Sequence, residues 1–443
     1  MDSDGEYNDH GGSNAGGEDF RPVHYIGNKS RYLHAIGQTV DRIARPGSAA
    51  CDLFAGTSVV TRRLAHRREV VSADIQAYSQ VLARALTQPY RVSSNDVATL
   101  LGVAEDWLRT VRPQTMSLVA YELDAQTNTQ SDLESFAALV EHGSFAVDDI
   151  GPRQLVEAKR RARGILTPDS ATLTWYYGGV YFSYLQALEM DALRHAIRVV
   201  TGNNETLVAA LMGTASDAVS TVGNHFAQPV QPRYRDGSLK RSWVASVSRR
   251  RQHPVVDTFL RWLARYESLR PTAHRVSAIT SDFHQTLSGL GPEVGVIYAD
   301  PPYTRDHYSR FYHVLETIAL DDNPGVTPTP GTATPSRGLY RVGRHQSPFS
   351  IRSQVRPAFQ ELFAQAKRLD VPLVLSYSPM SEGTKARRET RLMSMQDLVE
   401  MAANYFTNVD LVKLDASTHS RFNRVEVNAA VEGAAEALIV ATN

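Results

Sequence analysis

One tetrapeptide concentrates more chemistry than any other stretch of the chain. Asp300-Pro301-Pro302-Tyr303 follows the apolar run Val294–Ala299. A run of that kind delivers its last residues to the carboxyl edge of a parallel sheet, where α/β folds bind ligands. Two prolines stiffen the turn and remove two N–H donors, which leaves their carbonyls free to accept. The Asp300 carboxylate and the Pro301 carbonyl are then able to take both hydrogens of an aromatic amine. Held so, the amine nitrogen keeps its lone pair aimed at an electrophilic methyl group. Tyr303 offers a ring face on which an extruded base can stack. A rigid surface turn would use the same residues; the strand that precedes them favours chemistry.

A second constellation lies upstream. Cys51-Asp52-Leu53-Phe54-Ala55-Gly56-Thr57-Ser58 reads as a strand, a glycine turn and a helix start. Such a turn lets the backbone approach a ligand and aims helix N–H groups at an anion. Alone it is a common element. Asp74 closes the next apolar run, where a nucleotide-binding α/β fold places a carboxylate for ribose hydroxyls. An N-cap would also use Asp there, but the preceding turn favours ribose.

These residues need a sheet to hold them. Apolar runs ending in Asp, Gly or Pro alternate with amphipathic stretches, the pattern of a parallel sheet wrapped by helices. Strands are expected at Ala49–Phe54, Glu69–Asp74, Arg275–Ile279, Val294–Ala299, Val371–Tyr377, Val409–Lys413 and Ala437–Ala441. Helices are expected at Thr57–His66, Ala77–Leu86, His307–Leu320, Gln354–Leu369 and Met395–Tyr405. A mainly helical segment, 88–269, interrupts the alternation and is long enough for a domain of its own. A second irregular stretch, 321–350, is rich in Pro, Thr, Gly and Arg and reads as a functional loop. The resulting division is a disordered tail at 1–20, a first part of the α/β domain at 21–87, the insertion, and a second part at 270–443.

Composition bounds the class. The chain has 443 residues, 42% of them hydrophobic, which is enough for a sizeable core. No run approaches the roughly 18 apolar residues that span a bilayer. The first residues have no apolar core, so no secretory signal is expected. A single cysteine, Cys51, excludes an intramolecular disulfide and a thiolate zinc site. A cytoplasmic location fits. Formal net charge is zero, which counts mildly against a nucleic-acid partner. The distribution is uneven, however: 104–150 is mainly acidic, whereas 232–251 and 336–356 are strongly basic.

At this point the chain resembles the N6-adenine DNA methyltransferases of the class that includes the Dam methylases. Tyr25-Ile26-Gly27-Asn28-Lys29-Ser30 is similar to the family's N-terminal cofactor motif. Asp52 to Ser58 is similar to its glycine motif, Asp74 to its ribose-binding acid, and Ser281-Asp282-Phe283 to its Asp-Phe pair. Asp300 to Tyr303 resembles the catalytic tetrapeptide. The continuation Tyr308 to Thr317 resembles a type II restriction-associated subgroup, and Ser376-Tyr377-Ser378 the motif after the fifth strand.

The resemblance implies a class I S-adenosylmethionine-dependent methyltransferase fold, Rossmann-like, with a seven-stranded and mostly parallel sheet. It implies that the insertion is a target-recognition domain. It implies S-adenosylmethionine as cofactor, held by Tyr25, Gly27, Lys29, Asp52, Phe54, Gly56, Asp74, Asp282 and Phe283, with Gly27 and Lys29 near its methionine end and the Asp-Phe pair against its adenine. No metal is needed. The implied partner is double-stranded DNA, with a cognate restriction endonuclease accompanying the subgroup. One departure stands out: the family usually has a second glycine where this chain has Ser58, whose Cβ would crowd the cofactor if it faced it.

Contacts to DNA are expected from two basic stretches. His225, Gln228, Arg233 and Arg235 lie where Asn, Gln and Arg side chains would read base edges and hold phosphates. Arg341, Arg344 and Arg352 lie in the loop after the catalytic helix, expected to be a mobile lid that grips the strand beside a flipped base. The aromatic stretch Trp175–Phe182 reads as helix packing. His225 has no clustered partners, so it is not expected to hold a metal. Two other readings stay open on the sequence: an amine methyltransferase acting on cytosine N4 or on RNA adenine, and an inactive DNA-binding subunit of a defence complex.

Overall fold

The computed structural model describes residues 20–378 apart from Ile26, Asn28, Val222, Asn224 and Asp306, and then 392–414, 422–423 and 436–443. The tail at 1–19 and Asn224 therefore lie outside the described residues. Phe20, assigned to the tail by sequence, packs its ring against Trp262 and Tyr266.

The described residues form a mixed α/β structure around one sheet. Its strands are β1 (Ala49–Leu53), β2 (Val70–Asp74), β3 (Val276–Thr280), β4 (Val294–Ala299), β5 (Leu373–Tyr377), β6 (Asn408–Leu414), β7 (Phe422–Asn423) and β8 (Glu436–Thr442). The spatial order is β3-β2-β1-β4-β5-β8-β6-β7. The first five are parallel to one another. β8 runs antiparallel to both β5 and β6. Seven strands lie within two residues of the expected bounds, and the two-residue β7 was not anticipated.

Burial explains why the central strands form. β1, β4 and β5 are buried along their whole length, as strands covered on both faces must be. Alternate residues serve opposite cores. Val296 and Tyr298 join Ile36, Val40, Val60 and Leu64 on one side. Ile297 and Ala299 join Phe359, Leu362 and Phe363 on the other. The two flanking layers come from helices Leu33–Ile43 and Val59–Ala65 on the first face and Val355–Arg368 on the second.

Register brings the chemistry together. Leu53 pairs with Ala73 on one side and Ala299 on the other. The next residues on these three adjacent strands are Phe54, Asp74 and Asp300. The chain winds in opposite directions from β1 and β4, so a crevice opens between them at the carboxyl edge.

The insertion is not one separate body. Helices Tyr184–Thr201, Glu205–Ala218 and Val255–Glu267 share a continuous core with Tyr78, Leu82 and Leu86 of helix Ala77–Thr87 and with Val314, Leu315 and Ile318. A second core, built on Leu118, Phe136, Leu139, Leu155, Leu188 and Trp243, lies almost wholly within the insertion. The expected boundary at 87–88 thus cuts through shared packing. None of the described helices is long and apolar enough to cross a membrane.

Candidate active site

A cavity of about 300 Å³ opens at the crevice. Tyr25, Gly27, Lys29, Asp52, Phe54, Gly56, Asp74, Asp282, Phe283 and Asp300–Tyr303 all line it. Thirteen residues from five separated stretches of sequence, singled out by their chemistry or by the family resemblance, thus meet at one place.

The glycine turn is held open by Asp74. Its Oδ2 accepts the Gly56 N–H at 2.9 Å and its Oδ1 accepts the Gln76 N–H at 2.9 Å. Burial pushes its pKa upward against those bonds. Gly56 sits at φ +53°, and a Cβ there would lie 2.9 Å from the Tyr25 hydroxyl. Phe54 and Ser58 also occupy the left-handed region, at φ 67° and 60°. Ser58 is fully buried, and its hydroxyl donates to the Ser79 carbonyl at 3.2 Å. Its hydroxyl is therefore turned toward Ser79, and Ser58 is not among the residues that line the cavity.

Asp52 faces inward as well. Its carboxylate accepts the Thr61 hydroxyl at 2.5 Å, and that hydroxyl lies 2.8 Å from Ser72 Oγ. Burial raises its pKa to about 7. Its main work is to tie β1 to the helix that follows. Asp282 caps helix Phe283–Gly289 by accepting the Gln285 N–H at 2.8 Å. Phe283 joins Phe54 and Phe349 in an aromatic wall, with ring centroids 5.1–6.0 Å apart.

The tetrapeptide is braced from below. Lys29 Nζ lies 2.8 Å from Asp300 Oδ2 and 3.6 Å from Glu436 Oε2, and it donates to the Gly27 carbonyl at 3.4 Å. Two carboxylates hold its pKa well above the usual lysine range despite burial. Lys29, expected near the methionine end of a cofactor, lines the cavity with its ammonium on Asp300. Asp300 Oδ1 is buried and has no hydrogen-bond partner among the described residues. Burial raises the Asp300 pKa while Lys29 pulls it down. The Tyr303 ring packs edge-on against Tyr377 at 5.3 Å.

Several lining residues escaped sequence reasoning. His345, Ser347, Pro348 and Ser350 form part of the cavity wall. Glu436 carried a faint signal as the one charged residue opening an apolar strand. Glu316, on helix His313–Leu320, accepts the Ala77 and Tyr78 N–H groups at 2.9 and 3.0 Å. It thereby fixes the turn that follows Asp74. The expected helix 307–320 is broken at Tyr312 into Tyr308–Phe311 and His313–Leu320.

The DNA candidates do not gather as the cofactor candidates do. Arg341 is a correction: it is 8% exposed, with Nη1 and Nη2 on Asp322 at 3.2 and 2.6 Å. A guanidinium so engaged is a structural tie. Arg233 is also engaged, by Glu134 and by Glu141 at 2.9 Å. His225 accepts the Ala227 N–H at 3.2 Å and packs on the Phe311 ring. Gln228, Arg235 and Arg352 are exposed. Arg344 is half-buried over the Tyr340 ring, 4.8 Å from its centroid. The loop itself is folded, with bridges Val326↔Arg341 and Pro328↔Pro335 and its Gly338 carbonyl accepting the Tyr181 hydroxyl at 2.8 Å.

The sequence model of the D12 class N6 adenine-specific DNA methyltransferases matches residues 25–114 and 244–369. The chain is similar to this family over just under half of its length. The matched segments carry the glycine turn, Asp74, the Asp-Phe pair and the tetrapeptide, and they leave 115–243 outside. Two relatives align over most of the chain. Modification methylase LlaI of Lactococcus lactis subsp. lactis is 22% identical over 412 residues, covering 90% of this chain and 51% of its own length. Type II methyltransferase M.CviAII of Paramecium bursaria Chlorella virus 1 is 21% identical over 395 residues, covering 86% and 88%. The chain thus spans about half the length of the Lactococcus enzyme.

Proposed function

We propose that the chain transfers a methyl group from S-adenosylmethionine to the N6 amine of adenine in a specific double-stranded DNA sequence, on a base turned out of the duplex. The observation that carries this reading is the asymmetry of Asp300. One oxygen is occupied by Lys29 and the other is buried without a partner, a costly state unless a ligand donor completes it. An amine hydrogen is such a donor.

Other features support the fold and the cofactor. The strand order, with an antiparallel β8 between β5 and β6, suits a class I methyltransferase. Asp74 suits ribose hydroxyls, since each of its oxygens retains a lone pair after its backbone bond. The wall of Phe54, Phe283 and Phe349 suits an adenine ring. When bound, the cofactor supplies an electrophilic methyl group on a sulfonium. Asp300 and the Pro301 carbonyl orient the amine, and Tyr303 supports the base by stacking. The work of the site is positioning and charge stabilisation. Sequence specificity would belong to the insertion at 88–269, of which 115–243 lies outside the family match. By analogy with the type II relatives, the product would protect DNA from a cognate restriction endonuclease.

The test is a product assay with purified protein, labelled S-adenosylmethionine and duplex DNA. N6-methyladenine is expected, and Asp300→Ala should abolish it without unfolding the protein. N4-methylcytosine, methylation of RNA alone, or near-normal turnover by Asp300→Ala would overturn the reading.

A further inference from the structure

We propose that Glu436 is a positioning residue of this site: acting through Lys29, it fixes the ammonium beneath Asp300 and sets the pH range over which Asp300 is ionised. The inference rests on the reading of Asp300 as the acceptor for the amine.

Topology puts Glu436 there. β8 runs antiparallel to β5, with Ala437 opposite Tyr377. Its first residue therefore lies at the edge where the parallel strands end, beside the catalytic turn. Glu436 and Lys29 are each 5% exposed. Glu436 Oε1 accepts the Ser376 hydroxyl at 3.0 Å, and Oε2 faces Lys29 Nζ at 3.6 Å. Ser376 thus sets the glutamate, the glutamate and the Gly27 carbonyl set the ammonium, and the ammonium occupies Asp300 Oδ2. What remains free is Oδ1.

The charges matter as much as the geometry. A buried ammonium flanked by two carboxylates carries one net negative charge when all three are ionised. Each carboxylate disfavours ionisation of the other, and Lys29 favours both. Burial and the Asp300 charge push Glu436 upward, while Lys29 and the Ser376 hydroxyl pull it down. The other titratable groups around Asp300 are Asp52 on β1, Tyr298 on β4, and Tyr25 and Tyr303. The tyrosines stay neutral at working pH, so Glu436 and Asp52 are the carboxylates coupled to Asp300, whose charge pushes both upward. Of the two, only Glu436 also touches Lys29.

Glu436→Gln removes the charge and keeps the size and a carbonyl for Ser376. The acidic limb of its pH–kcat profile should move to lower pH by about one unit, with KM for S-adenosylmethionine within about twofold of wild type. A purely structural role would lower activity at every pH without moving the limb. Asp300 is also read directly by ¹³C NMR of protein labelled at aspartate carboxyl carbons, its signal assigned by its loss in Asp300→Asn. Its titration midpoint should fall in Glu436→Gln. Ser376→Ala, which withdraws the bond favouring ionised Glu436, should move it the same way by less, and this variant serves if Glu436→Gln does not fold. Unchanged midpoints would overturn the proposal. If wild type gave no N6-methyladenine while the midpoint still shifted, the reaction assigned to the site would fail and the coupling would stand.

Discussion

Ser58 shows how little a substitution means until its side chain has a direction. By type it departs from the family's glycine at a turn that approaches the cofactor. By geometry its hydroxyl is bonded to Ser79, and Ser58 does not line the cavity. Ser58→Gly should therefore leave S-adenosylmethionine affinity unchanged. Its effect on stability should be small. Relief of a left-handed side chain, about 1–2 kcal/mol, is offset by one lost hydrogen bond, about 1 kcal/mol, and by glycine's entropy. Gly56→Ala should behave oppositely, since its Cβ meets the Tyr25 hydroxyl at 2.9 Å and its φ is positive. Calorimetry on the two variants checks both statements. A Ser58→Gly protein that bound markedly tighter would return the serine to the cofactor pocket. Tyr303 belongs to the same scale. If it acts by stacking, Tyr303→Phe should keep most turnover and Tyr303→Ala should lose most of it, and equal losses would point to the hydroxyl.

At the scale of elements, the segment 321–350 divides its arginines between two jobs. Arg341 holds Asp322 and lies 3.4 Å from Thr317 Oγ1. Arg310 and Arg344 instead flank the Tyr340 ring, at 5.3 and 4.8 Å from its centroid. Neither pairs with a carboxylate among the described residues. Arg310 follows Tyr308 and Ser309, and Arg344 precedes His345, all three lining the cavity. Two like charges gathered at that rim suit a phosphate. Arg310→Ala with Arg344→Ala should reduce the salt slope of DNA binding by nearly one unit, as for one lost phosphate contact, with the melting temperature almost unchanged. Arg341→Ala should do the reverse: an unaltered slope and a loss of about 1–3 kcal/mol of stability. A reduced slope in Arg341→Ala would restore that residue to the interface.

The sequence could separate strands from helices here because burial on both faces writes continuous apolar runs. It could not separate the arginines, because composition records charge and not its partner. It missed Glu436 for a related reason: the residue reaches the site only because β8 is antiparallel, and strand direction leaves no mark in an apolar run. The residues gathered at the cavity were legible where each follows its own strand or opens its own helix, as Phe54, Asp74, Phe283 and Asp300 do. The basic residues, borne on loops and on helices packed from afar, do not gather in that way.

At the scale of the whole molecule, the insertion, the 321–350 segment and helix His313–Leu320 meet on one imidazole. His313 is fully buried among Tyr177, Tyr181, Phe226 and Tyr340, with ring centroids 5.3–6.3 Å away. Neither of its ring nitrogens has a hydrogen-bond partner among the described residues. Burial drives its pKa well below the usual value, and the charges of Arg344 and Arg341 drive it further. The folded protein therefore holds His313 neutral, whereas the unfolded chain takes up a proton below about pH 6.5. Its contribution is intact above that pH. It is lost as pH falls toward the depressed folded value, at about 1.4 kcal/mol per pH unit for one proton. Asp52 and Asp191, both raised to about 7 by burial, titrate with the opposite sign over part of this range. The informative quantity is thus the difference between wild type and His313→Phe, which keeps an aromatic ring in an aromatic cage. Denaturant unfolding at pH 7.5, 6.0 and 5.0 should show the variant gaining on wild type at each step down. Parallel stability curves would mean that His313 takes up its proton as readily in the folded state as in the unfolded chain, and the three elements would then need another reason to stay joined in acid.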